Sequence, residues 1–212
     1  TDYRRTPHPS SQSIGMAVSK SPYGPWKKVN GDGQILKPPA NKKYWNYQAT
    51  NGVNNPALLP YKGGFLLYFK SQNALMGLAV AEQLEGPYVQ LPFPVTKNNK
   101  TIEEGYAFVY KDKICLLTTD NHGTLKSGGG LLWASDYAVS FEDYEPGFHR
   151  IDEYAPANLV NPKWHYGPTD RMKFERPQIL LIDDKPAYLY VGSGCNIYGG
   201  DTTVNYVLKY NP

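Results

Sequence analysis

Two glutamates, Glu104 and Glu175, open apolar segments of one design, and Asn55 opens a third. The segments are Asn55-Pro-Ala-Leu-Leu-Pro-Tyr-Lys-Gly-Gly-Phe, Glu104-Gly-Tyr-Ala-Phe-Val-Tyr-Lys-Asp-Lys-Ile and Glu175-Arg-Pro-Gln-Ile-Leu-Leu-Ile-Asp-Asp-Lys. Two carboxyls that share a pocket can divide acid and base work. One is held protonated to donate to a leaving oxygen while the other stays ionised, as cleavage of a glycosidic bond requires. Asn55 can do neither at neutral pH, but its amide can bond a sugar hydroxyl; Asn54 replaces it if the register slips by one. His165 precedes Glu175 by ten residues, in Trp164-His-Tyr-Gly-Pro, and offers an acid or a hydroxyl ligand. His122, in Asp120-Asn-His-Gly, can bond substrate or tune a carboxyl, and Arg176 can arrange a sugar or pair with Glu175. Trp45, Trp164 and Tyr166 carry flat faces on which a pyranose could stack. Each also has a plainer reading: carboxylates that cap turns, an exposed turn histidine, and aromatics that fill interfaces between sheets.

The elements that must position these residues are short strands. Apolar runs at Phe65 to Phe69, Ile114 to Leu117, Ile179 to Ile182 and Tyr188 to Val191 are bounded by Gly, Pro, Asn and Asp, as strands require. Lys62-Gly-Gly, Lys111-Asp-Lys and Asp183-Asp-Lys lie between paired runs and read as hairpin turns. A second repeat follows. Gly15-Met-Ala-Val-Ser ends in Gly24-Pro-Trp, and Gly77-Leu-Ala-Val-Ala ends in Gly86-Pro-Tyr, while Gly130-Leu-Leu-Trp-Ala-Ser is a looser copy. Four-stranded units at this period predict β-propeller blades, whose first strands meet at one axis. Aligned polar residues from separate blades then converge. Under this alignment Glu104 points to the axis and Glu103 away from it.

The expected fold is therefore all-β, a single domain over residues 1–212 that supplies about three and a half blades of a five-bladed propeller. Residues 52–95, 102–145 and 173–212 form full blades, and residues 1–29 give the outer half of an earlier one. Residues 30–51 and 146–172 are long connections rich in aromatics, suited to wall a funnel. Unpaired strand edges of an open ring predict further blades, on the same polypeptide or a separate segment.

Composition narrows the partners. The net charge is only +3 and basic residues are scattered, which argues against nucleic acid. No stretch approaches the ~18 apolar residues of a membrane span. The two cysteines, Cys115 and Cys195, fall at different points of the repeat and read as separate buried thiols. No cluster with zinc spacing occurs, so no metal or other cofactor is expected from the residues themselves.

The strand pair Ile14-Gly-Met-Ala-Val-Ser-Lys-Ser-Pro-Tyr-Gly-Pro-Trp and the opening Glu104-Gly-Tyr-Ala-Phe-Val-Tyr-Lys resemble the five-bladed propeller glycoside hydrolases of family 43, and relatives such as family 117. The resemblance runs from about Ser13 to Leu208. It implies hydrolysis of a poly- or oligosaccharide by carboxyl acid/base chemistry. In family 43 an aspartate base, a pKa-tuning aspartate and a glutamate acid lie in the first, third and fourth blades. Glu104 matches the acid, Asn55 stands where the tuning aspartate belongs, and the base-bearing blade is not among those matched. A family 117-like pattern would instead recruit His165 and Glu175. The expected catalytic set is thus Glu104, Glu175 and His165, with Asn55, His122, Arg176, Trp45 and Trp164 binding substrate. Asn55 also fits a second expectation, a carbohydrate-binding propeller without catalysis. An axial calcium is implied by analogy alone, and a polymeric substrate implies a periplasmic or extracellular site.

Overall fold

The computed structural model describes residues 12–120, 122–154, 173–193 and 204–210. These carry fifteen strands, one 3-10 turn and one short helix, so the fold is all-β. The chain divides into two compact units, residues 1–96 and 97–212.

The first unit holds one complete blade. Strands β5 (Asn54–Tyr61), β6 (Gly64–Lys70), β7 (Met76–Ala81) and β8 (Val89–Gln90) form an antiparallel sheet in chain order. Lys62 and Gly63 close the β5–β6 hairpin as a two-residue loop with φ of 48° and 81°. Positive φ at both positions is the primed turn that matches strand twist. Leu67, Phe69 and Ala79 are buried with Ile14, Leu36, Val53 and Tyr88 in one core. Gly77 makes that packing possible: a Cβ there would lie 2.5 Å from Cζ of Phe69 and 3.0 Å from Cζ2 of Trp45.

The outer half-blade is β1 (Ile14–Gly15), β2 (Ala17–Val18) and β3 (Lys27–Lys28), with β4 (Gln34–Leu36). Its register copies the complete blade. Ala17 pairs with Lys28 and Val18 with Lys27; Ala79 pairs with Gln90 and Val80 with Val89, each residue 62 further on. The sequence expectation of a connection from residue 30 needs correcting, because Gln34–Leu36 pairs back with Ile14–Gly15. Left-handed backbone at Asn30, Gly31 and Gly33 makes the detour, and Asp32 Oδ1 accepts the Gln34 N–H at 2.8 Å. A three-residue strand beyond such a detour has no periodicity to read.

The second unit holds β9 (Ile102–Tyr110), β10 (Lys113–Asp120), β11 (Gly130–Ser135) and β12 (Tyr144–Phe148), again in chain order. A second sheet follows: β13 (Glu175–Ile182), β14 (Lys185–Ser193) and β15 (Val204–Lys209). Helix α1 (Ile151–Tyr154) is a single turn. Lys111-Asp112 and Asp183-Asp184 close their hairpins with φ of 50°, 61°, 49° and 58°. Phe108, Cys115, Leu117, Phe148, Ile151, Phe174 and Val191 form the core of this unit. Trp133 is fully buried, and its Nε1–H donates to Oγ1 of Thr118 at 3.1 Å. Two expectations change here. The last blade has three strands among the described residues rather than four. Residues 146–148, expected in a connection, complete the outer strand β12. Cys115 is a free thiol, and burial pushes its pKa up to about 11. Cys195 lies outside the described residues.

Candidate functional site

Each inner strand carries the same irregularity. Between Asn54 and Ala57, Glu103 and Tyr106, and Glu175 and Gln178, the inner strand has one residue more than its partner. These are β-bulges. Each contains one non-glycine residue in the left-handed region: Asn55 at φ 47°, Glu104 at 59° and Arg176 at 56°. All three stand seven residues before the first residue of their hairpin turns, Lys62, Lys111 and Asp183. Holding a non-glycine residue there costs of the order of 1–3 kcal/mol, and such strain collects where a side chain must be aimed.

This geometry corrects the repeat alignment. Arg176, not Glu175, is the structural equivalent of Asn55 and Glu104. Glu175 occupies the preceding position, equivalent to Asn54 and Glu103. The slip comes from matching Glu175 to Glu104 by charge, since all three bulges stand at one distance from their turns and shift nothing between the copies.

In the second unit the two bulge residues bond to each other. Glu104 is buried, and its Oε2 accepts the backbone N–H of Arg176 at 2.8 Å. Its Oε1 lies 3.2 Å from Nη2 of Arg176, whose side chain is 65% exposed while that of Glu104 is 7% exposed. Water therefore screens the guanidinium but not the carboxyl. Burial dominates and pushes the Glu104 pKa up to about 7. The Arg176 guanidinium and N–H pull it down; the nearby charges of Glu175 and Glu103 push it further up. Glu175 is itself buried at the start of β13. The structure thus assembles Glu104, Glu175 and Arg176. A carboxyl half protonated near neutrality, with a cation and an N–H donor in place, can give a proton and then tolerate the charge.

Asp120, the last residue of β10, organises the neighbouring loop. Its buried carboxylate accepts the N–H groups of Thr124, Leu125 and Lys126 at 2.7, 2.8 and 3.0 Å. A buried aspartate at a strand end, followed by a polar loop, is the signal for such an Asx-type anchor. His122 sits on that loop and is exposed. In the first unit Asn55 is half-buried on its bulge, and Asn54 Nδ2 donates to Oε1 of Gln12 at 2.8 Å. Trp45 is half-buried against the core of that unit. Trp164 and His165 lie outside the described residues.

Comparison with protein-family models finds no match, and neither does comparison with curated proteins. Solved structures do match in fold. A family 43_1 enzyme from Xanthomonas citri, complexed with xylose, superposes with a TM-score of 0.55 at 16% identity, over 85% of this chain and 57% of that one. An endo-arabinase from Bacteroides thetaiotaomicron gives 0.54 at 17% identity, over 86% and 62%. A family 117 glycoside hydrolase from the marine bacterium Zobellia galactanivorans gives 0.52 at 17%, over 87% and 48%. The chain spans less than two thirds of each of these structures. Its fold is that of the β-propellers seen in these structures.

Proposed function

We propose that this chain carries the proton-donating part of a glycoside hydrolase that cleaves a poly- or oligosaccharide. The observation that supports it best is Glu104: a carboxyl aimed from a left-handed bulge, buried, and pushed to about 7. Below that pH the group holds a proton. As the glycosidic C–O bond breaks, the proton passes from Glu104 to the leaving oxygen, and the resulting carboxylate is received by the Arg176 N–H and guanidinium. Glu175 contributes negative charge that keeps the proton on Glu104 until it is needed. Asn55, His122, His165, Trp45 and Trp164 remain proposed sugar contacts, and a polymeric substrate would place the protein in the periplasm or outside the cell.

One observation favours a second reading. The bulge position equivalent to Glu104 holds an amide at Asn55, which suits sugar binding without acid/base work. Incubation of the natural-length protein with a panel of plant and algal glycans separates the two. Reducing-end release that disappears in Glu104→Gln, with calorimetric binding retained, supports hydrolysis. Binding without product, equal in wild type and variant, supports the binding propeller.

A further inference from the structure

We infer that Asp120 is a positioning residue: through the loop it anchors, it holds the start of β13 where the Arg176 N–H meets the Glu104 carboxyl. The inference rests on the reading of Glu104 as the proton donor. Asp120 is 1% exposed. Its two carboxylate oxygens are both spent on the backbone of one loop, at Thr124, Leu125 and Lys126. Its own backbone closes the same loop. The Asp120 N–H donates to the Gly129 carbonyl at 2.9 Å, and its carbonyl accepts from Gly128 at 3.1 Å. A carboxylate that gathers three backbone donors fixes a loop more firmly than a neutral acceptor would.

The far end of this loop reaches β13. The Gly128 carbonyl accepts the Phe174 N–H at 3.0 Å. A Cβ on Gly128 would stand 3.3 Å from Cα of Lys173, and its φ is 93°, so glycine is what allows the two backbones to approach. The Lys173 carbonyl accepts from Oγ of Ser193 at 2.7 Å. Phe174, Glu175 and Pro177 are buried, which leaves this stretch little freedom to adjust. Within it lies Arg176, whose N–H reaches Oε2 of Glu104 at 2.8 Å.

The blade of the first unit supplies an internal comparison. Asn54 pairs with Lys70 as Glu103 pairs with Thr119, so Ser71 stands where Asp120 does. Ser71 Oγ donates back to the Gly52 carbonyl. Residues 71–75 then join β6 to β7, whereas residues 121–129 join β10 to β11. The longer, carboxylate-anchored loop belongs to the blade whose bulge carries Glu104. The shorter one belongs to the blade whose bulge carries Asn55.

Charge gives the test its sign. Among the described residues the charged groups that act on Glu104 are Arg176 and Glu175 of β13 and Glu103 of β9. Asp120 reaches it through the loop. Asp120→Asn keeps an acceptor for Thr124 but turns an amine toward the Leu125 and Lys126 N–H groups. In the natural-length protein, the Glu104 carboxyl carbon of this variant should titrate about half a pH unit or more above wild type, because the N–H that favours the ionised form recedes. The Arg176 amide should exchange at least about tenfold faster. The alkaline limb of kcat/KM on a glycan should move with the titration. A titration midpoint that stays in place would overturn the inference. So would a lower one, which loss of a nearby negative charge would produce. Amide exchange in the wild type is a second measurement that needs no variant. Leu125, Lys126, Phe174 and Arg176 should open as one unit, with protection equal to within about tenfold. Phe174 and Arg176 protected more than about a hundredfold beyond the loop amides would also overturn it, since β13 would then hold its own place. A raised midpoint in the variant, with no glycan cleaved by the wild type, would support the positioning role and refute the hydrolase reading alone.

Discussion

Replacing Glu104 by Gln should remove a pH dependence of folding that this one carboxyl imposes. Glu104 moves from an ordinary 4.5 to about 7 on folding. The folded chain therefore holds a proton between those values that the unfolded chain has released. Stability from the protonated form is complete below about pH 4.5 and is lost as pH rises through 7. Each tenfold in proton affinity is worth about 1.4 kcal/mol, so the loss between about pH 4.5 and pH 8 is about 3 kcal/mol. Gln keeps an oxygen for the Arg176 N–H but cannot ionise. The assay is urea unfolding of wild type and variant at half-unit steps from about pH 4 to pH 8.5. The stability difference should change by about 3 kcal/mol across the range, with the variant gaining relative to wild type as pH rises. Parallel profiles, with a difference constant to within about 1 kcal/mol, would refute the claim that burial governs this carboxyl.

Further outcomes follow from the same structure. Arg176→Met removes the main influence that lowers the Glu104 pKa, so the Glu104 carbon resonance should titrate at a higher pH than in wild type. Gly130→Ala places a Cβ 2.0 Å from Cε1 of Phe148, and should cost about 1–3 kcal/mol in urea unfolding. Thr118→Val leaves the buried Trp133 Nε1–H without its acceptor, and the same assay should register a loss of about 1–3 kcal/mol.

The strands and their hairpins were legible because both depend on local pattern. Phe65 to Phe69 and Ile114 to Leu117 lie within β6 and β10, and the two-residue turns fall at Lys62, Lys111 and Asp183. The 62-residue repeat even matches the pairing of Ala17 with Lys28 to that of Ala79 with Gln90. The bulges were not legible. Glutamate and arginine have no intrinsic preference for positive φ, so nothing at Glu104 or Arg176 announces the conformation they adopt. The slip that put Glu175 in place of Arg176 came from aligning like charges rather than distances to the turn. Counting back seven residues from each hairpin would have found Arg176. Gln34–Leu36 was missed because a three-residue strand is too short to show alternation.

Proton donation by Glu104 is tested most directly by comparing two leaving groups in Glu104→Ala of the natural-length protein. One substrate is a glycan it hydrolyses; the other is the same sugar linked to dinitrophenolate, which leaves without protonation. The account predicts that glycan turnover falls by about 10²–10⁴-fold, while the aryl glycoside keeps its rate to within about tenfold of wild type. Glycan turnover close to wild type, or equal losses on both substrates in a folded variant, would contradict it.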